Sequence, residues 1–157
     1  MPVQSAGLLL YRLTPGGPEV FLVHPGGPFW AKKDAGAWSI PKGVCGPGED
    51  PLAAARREFR EETGVAPPEG PFLPLGSFRQ PGGKVVTAFA AQGDLDPTKL
   101  TSNMFDLEWP PKSGRIARFP EVDRGAWFGL KEAEIRLLKG QTPILAALRS
   151  AAFSRIG

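Results

Sequence analysis

The eight residues 57–64, REFREETG, place three glutamates and two arginines in little more than two turns of a helix. If this stretch is helical, Glu58 has Glu61 and Glu62 as its neighbours one turn away. Each like-charged pair at this spacing costs about 0.2–0.5 kcal/mol. A ligand that binds the carboxylates would offset this cost. The alternative is a solvent-exposed charged helix that is held together by pairs such as Arg57–Glu61.

The residues around this stretch predict where the helix begins and ends. Asp50 can cap its N-terminus, Pro51 suits its first turn and Gly64 ends it. Three apolar residues share one face that should pack on a sheet: Leu52, Ala55 and Phe59. The three glutamates cover an arc of about 100° that lies largely opposite this face, so we expect their carboxylates to point outward. Oxygen donors gathered in this way suit a hard divalent cation such as Mg²⁺ or Mn²⁺.

The pattern continues toward the N-terminus over residues 43–65, GVCGPGEDPLAAARREFREETGV. These residues follow the spacing G-x5-E-x7-R-E-U-x-E-E-x-G-U, in which x is any residue and U is apolar. At average residue usage, such a match anywhere in the chain is expected by chance about once in ten million sequences. The spacing resembles the box of the Nudix hydrolase family at every fixed position.

The resemblance implies an α/β fold in which a mixed β-sheet lies in an α/β/α sandwich and the box forms a catalytic loop–helix–loop. It also implies a single domain over residues 1–157, a length that can bury a core without disulfides. The implied activity is divalent-metal-dependent hydrolysis of a pyrophosphate bond. The implied substrate is a small phosphate ester that contains a nucleoside diphosphate linked to a further group.

The resemblance also implies a role for individual residues. Five residues would bind Mg²⁺ or Mn²⁺, the first through its backbone carbonyl: Lys42, Gly43, Glu58, Glu61 and Glu62. Arg57 can pair with Glu49, which would hold the loop against the helix and orient the glutamates. One box glutamate, or an acid from a distant loop, would deprotonate the attacking water. Glu121 is the first candidate for this distant acid and Glu108 the second, although either could equally be an exposed loop residue.

Basic and aromatic residues outside the box are candidates for binding the substrate. Lys42 and Lys33 could hold distal phosphates as point charges, as could Lys32. Trp30 could stack on a base, whereas most of the other aromatic residues are expected in the core. The only histidine, His24, has no acid partner that the sequence reveals. We therefore expect His24 to be structural rather than catalytic.

Composition limits the class of protein and its partners. The single cysteine, Cys45, excludes an internal disulfide and fits a reducing cytosol, and we expect it to be neither nucleophile nor ligand. No signal peptide is evident and no apolar run approaches about 18 residues, so we expect a cytoplasmic protein without a membrane partner. The net charge of +3 suits anionic ligands. No basic or aromatic-interleaved stretch predicts a dedicated nucleic-acid groove, and the oligomeric state stays open.

Features near the box leave the substrate open. The run WSIPKG, residues 38–43, is similar to dinucleoside polyphosphate and diphosphoinositol polyphosphate hydrolases, which often carry PKG at this point. A tyrosine beyond the box, typical of many diadenosine tetraphosphate hydrolases, is missing, because Tyr11 is the only tyrosine. Pro81 matches a proline position of ADP-ribose pyrophosphatases. We expect the substrate to be a nucleoside or dinucleoside polyphosphate.

Several alternatives to this substrate class stay open. The alternative enzymes hydrolyse diphosphoinositol polyphosphates, ADP-ribose or nucleotide sugars. A nucleotide-binding Nudix module without catalysis and a protein that processes RNA ends are alternatives from other classes. The intact Glu58, Glu61 and Glu62 argue against a module that has lost catalysis.

The rest of the chain predicts two hairpins and a helical tail. Apolar runs separated by turn residues predict the hairpins: 5–13 with 19–24, and 72–80 with 84–91. Three further strands and two closing helices are predicted: strands 38–40, 106–109 and 123–130, and helices 131–140 and 142–153. Residues 43–50 read as a loop, and residues 92–120 as irregular apart from the strand within them.

Overall fold

Apolar runs form the strands of a mixed sheet in the computed structural model, which describes residues 3–153. The strands among these residues are, in chain order, β1 (Gln4–Thr14), β2 (Gly17–Pro25), β3 (Lys42–Val44), β4 (Leu73–Arg79), β5 (Val85–Gln92), β6 (Met104–Glu108), β7 (Ile116–Pro120) and β8 (Val122–Gly129). The helices are α1 (Pro51–Thr63), α2 (Leu130–Arg136) and α3 (Thr142–Leu148), and a π-helical turn follows at Arg149–Phe153. Short 3₁₀ turns lie at Pro81–Gly83, Pro97–Lys99 and Lys139–Gln141.

Six of these strands form one sheet around β1. The order is β4–β5–β1–β2–β8, and β3 pairs with β1. β1 runs parallel to β5 and antiparallel to β2 and β3. β2 pairs with residues 11–14 of β1 and β3 pairs with residues 5–7. This pairing places the start of the box, which lies in β3, in the sheet and against α1.

Two apolar clusters cover the opposite faces of the sheet. Because side chains alternate along a strand, β1 contributes Leu9 to one cluster and Leu8 and Leu10 to the other. The first cluster includes Ile144 of α3, and the second includes Phe59 of α1. The sheet therefore lies between α1 and the pair of C-terminal helices, which confirms the predicted α/β/α sandwich.

Helix α1 begins and ends where the sequence predicts. The Asp50 carboxylate accepts a hydrogen bond from the Ala53 N–H at 3.0 Å. Gly64 has φ of 74° and donates its N–H to the Arg60 carbonyl at 2.7 Å. Glycine suits this left-handed position because it has no Cβ. Phe59 is fully buried and anchors the helix to the sheet.

The short segments differ from the sequence prediction. Residues 38–40 make only isolated bridges, at Trp38 and Ser39. The strand nearby is β3, which begins at Lys42 and extends into the stretch 43–50 that was predicted as a loop. A three-residue Lys-Gly-Val strand has no alternating apolar pattern, so the sequence did not indicate it. β6 overlaps the predicted strand 106–109, but its partner β7 lies in a region predicted to be irregular.

The C-terminal helices are shorter than predicted. Helix α2 ends at Arg136 because Leu137 takes an extended conformation and bridges to Trp38. Leu137 is buried at this bridge, so packing ends the helix before residue 140. Helix α3 continues into the π-helical turn, and the two together cover the predicted range 142–153. Among residues 3–153, no helix is both long and apolar enough to cross a membrane.

Candidate functional site

Gly43 in β3 makes room for the carboxylate of Glu58. A Cβ atom at Gly43 would lie 2.0 Å from Oε2 of Glu58, far inside van der Waals contact. Glu58 is 9% exposed, and burial raises its pKa against the opposing hydrogen bond from Arg57. The charges of Glu61 and Glu121 raise this pKa further. The close approach of the strand to Glu58 explains why the box needs glycine here.

Arg57 connects the loop to two of the glutamates. Its Nε and Nη2 donate to the two Glu49 carboxylate oxygens at 2.9 and 3.0 Å, and Nη2 also donates to the Val44 carbonyl at 3.0 Å. Its Nη1 donates to Glu58 at 2.8 Å and to Glu61 at 3.1 Å. The hydrogen bonds from Arg57 lower the pKa of Glu49 to about 2. The expected Arg57–Glu49 pair is therefore present, and the same guanidinium compensates two further carboxylates.

Glu62 turns toward β3 instead of pointing outward. Its Oε1 accepts the Lys42 backbone N–H at 3.2 Å. Burial raises the pKa of Glu62 to about 8, although part of the side chain is open to solvent and Lys42 opposes the shift. The expectation of outward carboxylates is therefore wrong for Glu58 and Glu62, because both flank the apolar face of α1 and β3 covers them. Only Glu61, whose side chain is 38% exposed, is open to solvent to a large extent.

Glu121 joins this acidic group from the turn between β7 and β8. Its N–H donates to the Asn103 carbonyl at 2.8 Å, and its carbonyl accepts the Gly26 N–H at 2.9 Å. The Asn103 N–H in turn donates to the Glu61 carbonyl at 3.1 Å. Burial raises the pKa of Glu121, and the charge of Glu61 raises it further. The base of the β6–β7 hairpin is thus bonded to the last turn of α1 and holds Glu121 near the box glutamates.

A cavity of about 170 Å³ opens beside these acids. Its polar wall contains Lys42, Glu62 and Glu121, and Trp30 forms part of its apolar wall. Burial lowers the pKa of Lys42, and the charge of Glu62 opposes this effect. A polar wall facing an aromatic ring can receive a phosphate and a flat apolar group together. A larger open depression of about 480 Å³, between the β1–β2 turn and the C-terminal helices, contains none of the predicted site residues.

The donor atoms of this site suit a hard divalent cation. Glu58, Glu61 and Glu62 present carboxylate oxygens from one side of α1, which is the donor chemistry that Mg²⁺ and Mn²⁺ prefer. In the part of the chain that the structure describes, no three Asp, Glu, His or Cys side chains already form a cage for a metal. Arg57 and the Lys42 N–H hold these oxygens instead. The residues present fit a metal, which would take over the carboxylates from these donors.

Three other candidates lie outside the cavity. Lys33 is exposed, and its ammonium lies 5.0 Å from the centre of the Trp30 ring. Trp30 lines the cavity, whereas Lys33 does not. Lys32 is exposed as well. Glu108 lies in β6 and accepts the Lys112 N–H at 3.0 Å near the tip of the hairpin. Glu108 therefore does not join the acidic group.

His24 is buried, and it has an acid partner that the sequence did not reveal. Its Nδ1 lies 2.9 Å from Oδ1 of Asp123, and its Nε2 lies 2.6 Å from the Lys33 carbonyl oxygen. Asp123 is 99 residues away and meets His24 because β2 pairs with β8. No local sequence signal identifies such a partner. Burial raises the pKa of Cys45, which disfavours a reactive thiolate and fits the expectation for that residue.

Comparison with known proteins gives a family match over most of the chain. The protein-family model described as the NUDIX domain matches residues 1–148 of this chain. The nucleoside triphosphate pyrophosphatase/Nudix hydrolase fusion protein of Bifidobacterium longum is 29% identical over 113 residues, which are 68% of this chain and 23% of that protein. The asymmetrical bis(5'-nucleosyl)-tetraphosphatase of Caenorhabditis elegans is 38% identical over 65 residues, which are 41% of this chain and 43% of that protein. The aligned stretches span less than half of either relative.

Solved structures share the fold over nearly the whole chain. The Caenorhabditis elegans Ap4A hydrolase, in a binary complex, has a TM-score of 0.63 and 23% identity, with 94% of this chain and 96% of that chain covered. The NUDIX domain of Shewanella oneidensis NrtR, complexed with ADP ribose, has a TM-score of 0.65 and 18% identity, with 96% and 88% covered. At these identities the likeness supports the fold alone. The family match, the complete box and the shared fold agree that the chain belongs to the Nudix family.

Proposed function

We propose that the chain is a divalent-metal-dependent pyrophosphohydrolase that acts on nucleoside or dinucleoside polyphosphates. The observation that supports this most directly is a group of four neighbouring acids beside β3, of which Glu62 and Glu121 line the cavity. Glu58, Glu61 and Glu62 come from α1, and Glu121 comes from the turn before β8. Each of the raised pKa values has a contribution from another member of the group, so the four carboxylates lie within electrostatic reach of one another. Such a group is costly unless positive groups or a bound cation compensate it.

Nudix hydrolases generally use divalent metal ions, and in this proposal the ligands are the box glutamates with the backbone of Lys42 and Gly43. When bound, the cation supplies positive charge for the phosphate oxygens of the substrate and helps to activate water. Arg57 stays bonded to Glu49 and Val44, and so holds the box loop against α1 while the glutamates are in use. This bracing is the role that we assign to the Arg57–Glu49 pair.

Glu121 is the residue to which we assign the proton transfer. A water oxygen attacks phosphorus, the anhydride P–O bond breaks, and the leaving phosphate keeps the electron pair of that bond. Glu121 accepts the proton of the attacking water. Two observations favour this acid: it lines the cavity, and, unlike Glu58 and Glu61, it accepts no hydrogen bond from Arg57. Its raised pKa brings its basicity closer to that of a useful general base.

Lys42 and Trp30 are the residues to which we assign substrate binding within the cavity. The Lys42 ammonium can compensate a phosphate that extends beyond the acids, and Trp30 offers a ring face for a base. The PKG run at Pro41–Lys42–Gly43 and the sequence similarity to the asymmetrical bis(5'-nucleosyl)-tetraphosphatase support a dinucleoside polyphosphate. The second candidate substrate is ADP-ribose, which is supported by Pro81. The single cysteine supports a cytoplasmic location.

The test is a panel of phosphate compounds, each assayed for product release with Mg²⁺ or Mn²⁺. The panel contains dinucleoside tetraphosphates, ordinary and oxidised nucleoside triphosphates, ADP-ribose, nucleotide sugars and diphosphoinositol polyphosphates. We expect turnover that requires the metal, is lost in Glu61→Gln and is kept in Glu108→Gln, the matched control on the β6–β7 hairpin. Absence of turnover across the panel, with a folded protein that binds Mg²⁺, would refute hydrolysis of these substrates and favour a binding module.

A further inference from the structure

His24 is a buried polar side chain that the proposed reaction does not use. The side chain is fully buried, at 0% exposure. Both ring nitrogens have a partner: Asp123 Oδ1 lies 2.9 Å from Nδ1, and the Lys33 carbonyl oxygen lies 2.6 Å from Nε2. The ring also packs edge-to-face on Trp38, with 5.2 Å between the ring centres. Water therefore has no place at either nitrogen.

The two contacts tie the ring to separate parts of the fold. Asp123 lies in β8, which pairs with β2, and Lys33 lies in the segment between β2 and β3. We propose that His24, held in place by Asp123, positions the cavity-lining loop 26–37 through the Lys33 carbonyl.

Further contacts fix the groups on both sides of the ring. Arg124 lies 3.7 Å from the same Asp123 oxygen. On the loop side, Asp34 accepts hydrogen bonds from the Trp38 indole N–H and from Arg136. Among the hydrogen bonds of residues 3–153, the His24 ring is the only side chain that contacts the Lys33 carbonyl.

A chain of hydrogen bonds leads from His24 to the cavity. The ring bonds to the Lys33 carbonyl, and the Lys33 N–H donates to the Trp30 carbonyl at 2.9 Å. Trp30 lines the cavity that contains Lys42 and Glu121. His24 is therefore a positioning residue: it does not touch the cavity itself, but it holds the backbone of the segment that presents Trp30.

Limited proteolysis tests the positioning of the loop. Trypsin can cut after Lys32 and Lys33, and the fragments can be identified by mass spectrometry. We expect cutting at these sites to be at least about tenfold faster in His24→Gln and in Asp123→Asn than in the wild type. The control is Leu10→Val, a change in the core on the opposite face of the sheet. Equal cutting in Asp123→Asn and Leu10→Val would overturn the positioning role, even if His24→Gln failed to fold.

A kinetic measurement rests on the proposed function and separates positioning from a general loss of stability. Because Trp30 is assigned to binding, Asp123→Asn should raise KM at least about fivefold with a smaller change in kcat. Leu10→Val should change neither at a temperature at which it is folded. A KM equal to that of the wild type would overturn the link from His24 to Trp30. A wild type without turnover would refute the proposed function alone, because the proteolysis result decides the inference without it.

Discussion

Replacing Gly43 with alanine should separate the stability of the chain from its activity. The added Cβ would lie 2.0 Å from Glu58 Oε2 and 2.1 Å from Glu58 Cδ, whereas ordinary contact begins at 3.4 Å. The Glu58 carboxylate therefore has to move by more than about 1 Å. It is the far end of a flexible side chain, so it can move without displacing the backbone. Gly43 does not have a left-handed φ, so alanine fits the strand itself.

The expected result of Gly43→Ala is a small change in folding and a large change in catalysis. Loss of the Arg57–Glu58 hydrogen bond and the gain from a stiffer unfolded chain are each about 1 kcal/mol and oppose one another. A displacement of about 1 Å in a group that orients the reaction can cost about 100-fold in rate. We therefore expect kcat/KM to fall by about 100-fold, while the free energy of unfolding in urea, measured with EDTA, changes by less than about 1 kcal/mol.

The matched control is Gly46→Ala, three residues further along the box, in the loop that follows β3. There, the nearest atom to the added Cβ is Glu49 Oε1 at 3.5 Å, which is ordinary contact. Gly46→Ala should keep turnover within about threefold of the wild type. If Gly43→Ala were as active as Gly46→Ala and bound Mg²⁺ as tightly as the wild type, Glu58 would not need its position under β3, and the assignment of Glu58 would be wrong.

Three further changes test the fold and the electrostatics. The folded chain keeps a proton on Glu62, whose pKa is raised to about 8, whereas the unfolded chain releases it near the ordinary value of 4.5. The metal-free protein should therefore lose stability as pH rises from about 5 to 8, and Glu62→Gln should reduce this slope in urea titrations; stability that rises in this range would contradict the raised pKa. Phe59→Ala removes a fully buried ring and should lower the free energy of unfolding by about 3–5 kcal/mol, against less than about 0.5 kcal/mol for the exposed Arg60→Ala; equal losses would contradict the packing of α1 on the sheet. Arg57→Lys keeps the charge but loses the paired bonds to Glu49, so kcat/KM should fall at least about tenfold, whereas Arg56→Lys, exposed on the same helix, should leave it unchanged; equal activities would refute the bracing role.

The parts of the fold and the site that were predictable from the sequence are those that depend on short spacings. The caps of α1, at Asp50 and Gly64, and the Arg57–Glu49 pair all lie within one segment of the chain, so residue types and distances along the sequence are sufficient. The sandwich followed from the apolar runs and the resemblance to the family. The strand β3 was missed because a Lys-Gly-Val segment has no apolar pattern of its own.

The parts that were not predictable depend on contacts between distant segments. Helical angles place Glu62 beside the apolar face of α1, but only the position of β3 decides that its carboxylate turns inward. The pairing of His24 with Asp123 depends on the register of β2 with β8. Glu121 joins the acidic group and Glu108 does not, because the base of the β6–β7 hairpin is bonded to α1 while Glu108 lies toward its tip. None of these relations has a signature in local composition.

The crowded glutamates of residues 57–64 are compensated by different means when no metal is bound. Arg57 donates to Glu58 and Glu61, while Glu62 accepts the Lys42 N–H instead and has a pKa that burial raises to about 8. The helix can therefore form before any cation binds. A cation must displace the Arg57 hydrogen bonds and the Glu62 proton, so its net affinity is lower than three free carboxylates would provide. The repulsion within REFREETG is thus held in check by groups that a divalent ion can replace.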